Sequence, residues 1–152
     1  MLYWCYLRKG IAYVPIVARV TAGYYMQQEP VAVVPVSNTH ALREALKHAI
    51  GRGNPIVPTP TRANMPPGLF PEYGVKDWNT FVRSATSWKI RRQDGVCEII
   101  RGKKVAGGSF VDDPDRTVAL PAEATMDDAV DRLVTLMQES VHEQRTPGKT
   151  RS

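Results

Sequence analysis

The sequence predicts an α+β protein: two antiparallel β-sheets of about four strands, each followed by a helix, in the order β4-α-linker-α-β4-α. Three observations predict it. Residues 2–36 and 88–120 hold short runs rich in β-branched and aromatic side chains, broken by turn residues. Residues 39–50 and 125–139 each carry one apolar stripe at helical spacing behind a capping side chain. Between them, residues 52–71 hold half of the chain's twelve prolines and follow neither period.

At 152 residues the chain has the length of one domain. The expected organisation is a single domain over residues 1–141. Its halves, 1–52 and 75–141, are joined by a proline-rich connector, 53–74, and residues 142–152 form a polar, disordered tail.

In the first half, residues 2–7 (LYWCYL) are all strand formers, and Arg8-Lys9-Gly10 turns the chain into a second strand, 11–22. Pro15 lacks an N–H for a ladder, so that strand is expected at an edge or bulged there. Gly23 marks the next turn. Residues 24–28 and 31–36 read as two further strands, the second Val-rich and central. Ser37-Asn38-Thr39 supplies a cap for the helix with apolar positions 41, 42, 45, 46, 49 and 50, and Gly51 and Gly53 stop it.

The connector is expected to be ordered, anchored by Ile56, Val57, Met65, Leu69 and Phe70. A helix over 75–85 follows. Next come two strand-like runs around Asp94-Gly95, the strongest short hairpin signal. A two-residue loop sets Gln93 opposite Val96, Arg91 opposite Glu98 and Trp88 opposite Arg101, which allows an ion pair and a cation–π contact. Gly102-Lys103-Lys104 is read as a turn into a strand at 105–111 with a bulge at Gly107-Gly108. Asp112-Asp113-Pro114-Asp115 is read as a second turn, and 117–120 as the last strand. Thr125 caps the final helix, with Asp127 and Asp128 in its first turn.

No motif for catalysis or metal binding stands out. His40 and His48 lie about two helical turns apart, too far to share one ion. The Asp112–Asp115 run has neither the glycine nor the distal glutamate of a calcium loop. Cys5 and Cys97, both in strand-like runs, read as small buried apolar residues. No cofactor or metal is expected. The longest aliphatic run, at 31–36, is too short to span a bilayer, and the N-terminus has its charges after its apolar stretch. The expected setting is the cytoplasm, away from membranes.

Charge is the remaining signal. Residues 1–104 carry fifteen Lys/Arg against six Asp/Glu, and residues 105–152 five against nine. Six of the cations fall between Lys89 and Lys104. Arg91, Arg92, Arg101, Lys103 and Lys104 are therefore candidate partner-binding residues. Arg52 and Arg62, flanking proline segments, are a candidate anion site. Aromatics at positions 3, 4, 6, 13, 24 and 25 lie among Arg8, Lys9 and Arg19, a composition on which single-stranded nucleic acid stacks.

The two helical stripes match at a constant offset of 88, Ala41, Leu42, Ala45, Leu46 and Ala49 against Ala129, Val130, Leu133, Val134 and Met137. Two units of strands plus a helix resemble, in element order, the Whirly family of single-stranded-DNA-binding proteins. In style, as one compact domain with an ordered proline-rich strap and no visible chemistry, the chain also resembles small bacterial toxin-immunity proteins. The latter resemblance implies a non-enzymatic binding protein that neutralises a protein partner. Nucleic-acid binding through the basic, aromatic-rich sheets is the alternative, and an enzyme whose site is assembled from distant residues is the third.

Overall fold

The computed structural model describes residues 1–65 and 69–144. Among the described residues the fold is α+β, with one seven-stranded sheet and three α-helices. In chain order the elements are β1 (Leu2–Arg8), β2 (Ile11–Val20), β3 (Tyr25–Pro35), α1 (Thr39–Gly51), β4 (Ile56–Val57), a 3-10 turn (Pro71–Tyr73), α2 (Trp78–Arg83), β5 (Ala85–Gln93), β6 (Val96–Val105), β7 (Ser109–Ala119) and α3 (Met126–Gln144). The strand order is β3-β2-β1-β5-β6-β7, antiparallel throughout. The two-residue β4 adds a short parallel bridge to β2.

The expectation of two separate sheets is corrected by the β1–β5 pairing. These strands pair along their whole length, Leu2 opposite Arg91 through to Arg8 opposite Ala85, and weld the halves into one sheet. The physical reason is visible in β1, which is apolar on both sides. Cys5 and Leu7 face one cluster, Trp4 and Tyr6 the other. Such a strand belongs in the middle of a sheet covered on both faces.

Each half contributes three long strands rather than four. Residues 24–28 and 31–36 merge into β3, whose register shifts opposite Pro15, between Val14 and Ile16. The extra residues are on β3, where residues 29–31 face Pro15 alone, so the ladder is interrupted where Pro15 has no N–H to donate. The Val-rich stretch lies at the sheet edge, not its centre. In the second half, Gly102, Lys103 and Lys104 lie within β6, and the turn comes at Gly107 and Gly108, both at positive φ. The segments 105–111 and 117–120 are replaced by β7, which breaks its ladder at residues 113–116.

The Asp94-Gly95 hairpin has the expected register, with φ of 53° and 77° at its two loop residues, both left-handed. α1 and α3 lie side by side on one face of the sheet. Their buried positions, Leu42, Leu46 and Ala49 with Ala129, Val130, Leu133, Val134 and Met137, join the core beneath them. Asn38 caps α1 by accepting from Ala41 N (3.1 Å), and Thr125 and Asp128 form a reciprocal capping box on α3. Gln138 of α3 donates to Val36 O and Thr39 Oγ1, locking the helices together. α3 continues to residue 144, so His142 belongs to it and not to a tail; residues 145–152 lie outside the described residues.

The connector covers the other face. Asn54 bonds the backbone of Leu2 on both sides and reaches Val17 O. Thr59 ties to Thr21 and Ala22 N. These polar anchors, with Phe70, hold it, whereas Ile56 and Met65 are exposed. Residues 66–68 of this stretch lie outside the described residues. The helix expected at 75–85 shrinks to α2, because Gly74 turns left-handed (φ 69°) and Asp77 caps the helix at Thr80 N (2.8 Å). Tyr73 and Phe81, fully buried, meet Tyr6 and Tyr13 in an edge-to-face aromatic cluster.

Candidate functional site

The feature that gathers charge and concave surface is the interruption in β7. Thr117 pairs with Ile100 and Asp112 with Gly102, so residues 113–116 bulge outward opposite Arg101. The bulge is self-braced: Asp115 N donates to Asp113 Oδ1 (3.0 Å) and Thr117 Oγ1 to Asp113 O (3.0 Å). β7 ends the sheet, so its outer backbone groups meet no further strand among the described residues. Bulges at sheet edges re-aim side chains and end pairing, and here three hollows converge on one.

The first is a groove of about 380 Å³ at the strand ends. Its charged lining is Arg101, Lys103, Lys104 and Arg116, with Asp113 opposing them. Lys103 and Arg116 are exposed and make no ion pair among the described residues. Lys104 is different. Its Nζ donates to Arg83 O (2.8 Å) at the C-terminal end of α2, and partial burial lowers its pKa. It serves α2, whose last carbonyl it satisfies.

The second hollow lies on the connector side of the sheet. Arg91 holds Glu98 (2.9 Å) and reaches Asp112 (3.5 Å), and Lys89 holds Asp112 (2.8 Å). Ile100, almost fully buried, sits among them on the same face. Two cations and two anions here neutralise one another.

The third hollow, about 240 Å³, opens between α3 and the bulge, over Trp88 and Arg101. The Arg101 guanidinium stands 5.2 Å from the Trp88 ring centroid, the expected cation–π contact.

Of the residues singled out in the sequence, the structure thus brings Arg101, Lys103 and Lys104 together. Alternation along β5 puts Arg91 on the opposite face from Arg92, which stands near the hairpin tip beside Cys97. Arg52 follows α1 and Arg62 lies in a connector turn; both are exposed, and neither lines the Arg101 groove. Arg116 was missed in the sequence because the Asp-Pro-Asp run before it reads as an ordinary turn.

The aromatics of the first half are mostly interior. Tyr3, Tyr6 and Tyr13 are buried and Trp4 is half-buried, while Tyr24 is exposed. Burial pushes the Cys5 thiol up to about 12, and it raises Cys97 as well. Among the described residues no three His, Cys, Asp or Glu side chains are gathered as metal ligands, and no helix is long and apolar enough to cross a membrane.

The sequence matches no protein-family model and no curated protein. The structure is similar to that of a protein of unknown function from Neisseria meningitidis. That likeness has a TM-score of 0.62 at 11% identity and covers 92% of this chain and 95% of the other. It is a likeness of fold.

Proposed function

We propose that this is a non-enzymatic binding protein of the toxin-immunity type, which neutralises an acidic protein partner by docking it on the bulged edge of the sheet. One observation carries the proposal: the break in β7 brings Arg101, Lys103 and Arg116 around one open groove at the free edge of the sheet. An edge strand offers backbone groups to a partner, and surrounding cations select an acidic one and steer its approach. The meander of three strands and a helix, present twice, is in this proposal the Whirly-type architecture put to protein binding.

Nucleic acid is the second candidate partner, because the same cations suit phosphate. The exposed Tyr24 is the main ring left for stacking, and it lies on the turn before β3, at the other end of the strand order.

Affinity purification at low ionic strength tests the proposal. The expected result is one co-purified acidic protein, an absorbance ratio without nucleic acid, and loss of the complex in a folded Lys103→Glu/Arg116→Glu variant. Salt well above the physiological range weakens such a contact, since the Debye length falls from about 8 Å to about 3 Å at 1 M. A complex that survives both the charge reversal and high salt places the interface elsewhere. Bound nucleic acid lost in the same variant replaces the protein partner with the second candidate.

A further inference from the structure

We infer that the end of the sheet bearing Met1, the β2–β3 turn and the Asp94-Gly95 hairpin docks a second copy of this chain, as a two-fold symmetric dimer. Strand directions gather this end from distant parts of the sequence. β1, β3 and β6 start here, and β2, β5 and β7 finish here. Asn54, two residues after Arg52, bonds Leu2, which brings the end of α1 to the same place. α3 starts seven residues after β7. Four of the eight exposed large apolar side chains among the described residues are at this end: Met1, Tyr24, Ile56 and Val96, between 47% and 74% exposed. Single exposed apolar residues are ordinary, whereas a group of them in one place marks an interaction site.

The charges on the two sides of this end have opposite signs. On the β3 side, residues 19–28 and 51–59 hold Arg19 and Arg52 and no Asp or Glu. Arg19 shares a row with Ile56 and Tyr25, its register partners on β4 and β3. On the β7 side, residues 119–130 hold Glu123, Asp127 and Asp128 and no Lys or Arg. All five are exposed, and Arg19, Arg52, Glu123 and Asp127 make no ion pair among the described residues. β2 and β7 stand four strand spacings apart, about 19 Å, which is over two Debye lengths at physiological salt. Arg19 and the β7 side therefore do not neutralise each other within one chain. A two-fold axis perpendicular to the sheet, through its centre at β1 and β5, turns a second copy end to end. The acidic side of each copy then faces the basic side of the other, as an isologous contact requires. Met1 and Ile56 fall near the axis, because β4 continues the lane of β1 beside β2. Opposite charges around an apolar centre are the pattern of a specific interface. The groove around Lys103 and Arg116 lies toward the other end of the strands and stays open in this dimer.

The test is analytical ultracentrifugation of the whole chain at low ionic strength and about 100 µM, where a contact of micromolar affinity is largely saturated. The parent is expected to sediment as a dimer, and 1 M salt is expected to weaken it. Ile56→Ser is expected to weaken the dimer about tenfold or more, the scale of a truncated central anchor. Ile56 is 74% exposed in the single chain, so its replacement leaves the fold intact, which circular dichroism checks.

A charge exchange tests the symmetry. Arg19→Glu/Arg52→Glu makes both sides of the end acidic, and Glu123→Lys/Asp127→Lys makes both basic. Each variant alone is expected to be a monomer. An equimolar mixture of the two is expected to form a heterodimer, because both contacts regain opposite signs. Asp128 is left in place because it closes the capping box of α3, and Glu123→Lys alone serves if the double variant does not fold. Lys103→Glu/Arg116→Glu, at the groove, is expected to leave the dimer intact, so dimerisation and partner capture are separable. A parent that is monomeric at about 100 µM overturns the inference. So does a dimer that survives either charge reversal, a mixture of the two variants that stays monomeric, or a dimer lost on reversing Lys103 and Arg116.

Discussion

Gly102→Ala is expected to destabilise the protein through one contact, and a double-mutant cycle isolates it. Gly102 lies in β6 at the register shift opposite β7. A Cβ built there collides with Ser87 Oγ and comes within 3.3 Å of Phe110 Cβ and 3.4 Å of Ser87 Cβ. Ser87 is buried, and its Oγ has no hydrogen-bond partner among the described residues. Forcing a methyl into a packed site costs about 1–3 kcal/mol. The backbone of Gly102 is not left-handed, so Ala also gains about 0.4–1 kcal/mol by restricting the unfolded chain. Overpacking wins, leaving a net loss of about 1–2 kcal/mol. Ser87→Ala removes the colliding oxygen and is expected to be neutral or slightly stabilising, since no bond is lost. The double variant should then recover most of the loss, a coupling of about 1 kcal/mol between neighbours. Urea unfolding of the four proteins measures this, provided the m-values agree. Strict additivity, or a Gly102→Ala midpoint equal to that of the parent, refutes the packing account of Gly102.

Four further outcomes follow from the same structure. Gly95→Val, at φ 77° in the β5–β6 loop, should cost about 1–2 kcal/mol and lower the melting temperature by several degrees. Phe81→Ala should cost about 3–5 kcal/mol, because this fully buried ring joins the connector-side cluster to the sheet; urea unfolding gives the value. Arg91→Gln breaks two partly exposed ion pairs and should cost under about 1 kcal/mol, a loss that shrinks further in 1 M salt. Cys5, its thiol pushed up to about 12 by burial, should resist a thiol reagent at neutral and mildly alkaline pH until the protein unfolds. Because the folded value is the higher one, its contribution to stability is complete below the unfolded value near 9 and is lost as pH rises toward 12.

Elements whose cause is local were legible in the sequence. Asp94-Gly95 sets a register through its own left-handed residues, and α1 and α3 announce themselves by a cap and an apolar stripe. Elements whose extent depends on a distant neighbour were not. Pro30 and Pro114 look like strand ends, yet β3 and β7 run through both, because the facing strand keeps pairing on either side of the interruption. Likewise Gly102 looks like a turn residue, and only Ser87 and Phe110 across the sheet explain why a glycine stands within β6. The shared sheet itself depends on β1 meeting β5, some eighty residues later in the chain. No local pattern encodes that pairing; the two-sided apolar character of β1 is its trace.

The charge pattern shows the same division, and it bears on function. Counted along the chain, the Lys89–Lys104 segment is one basic patch. Folded, its alternation deals the cations to two faces. Lys89 and Arg91 are neutralised by Glu98 and Asp112, Lys104 is spent on the end of α2, and Arg92 stands beside Cys97. What faces the open groove without an ion pair among the described residues is Lys103, and to it the β7 bulge adds Arg116 from the acidic part of the sequence, beside Arg101 on Trp88. A binding surface here is therefore a property of the bulge and not of the basic run. Straightening the bulge, by deleting three of residues 113–116 so that Thr117 continues the ladder from Asp112, should preserve the charge of the hairpin yet abolish partner capture. Deletion of Asp113, Pro114 and Asp115 keeps Arg116 and adds net positive charge, so simple electrostatic attraction predicts stronger capture instead. Tighter binding by that folded variant would return the interface to charge alone, and loss of binding would assign it to the shape of the edge.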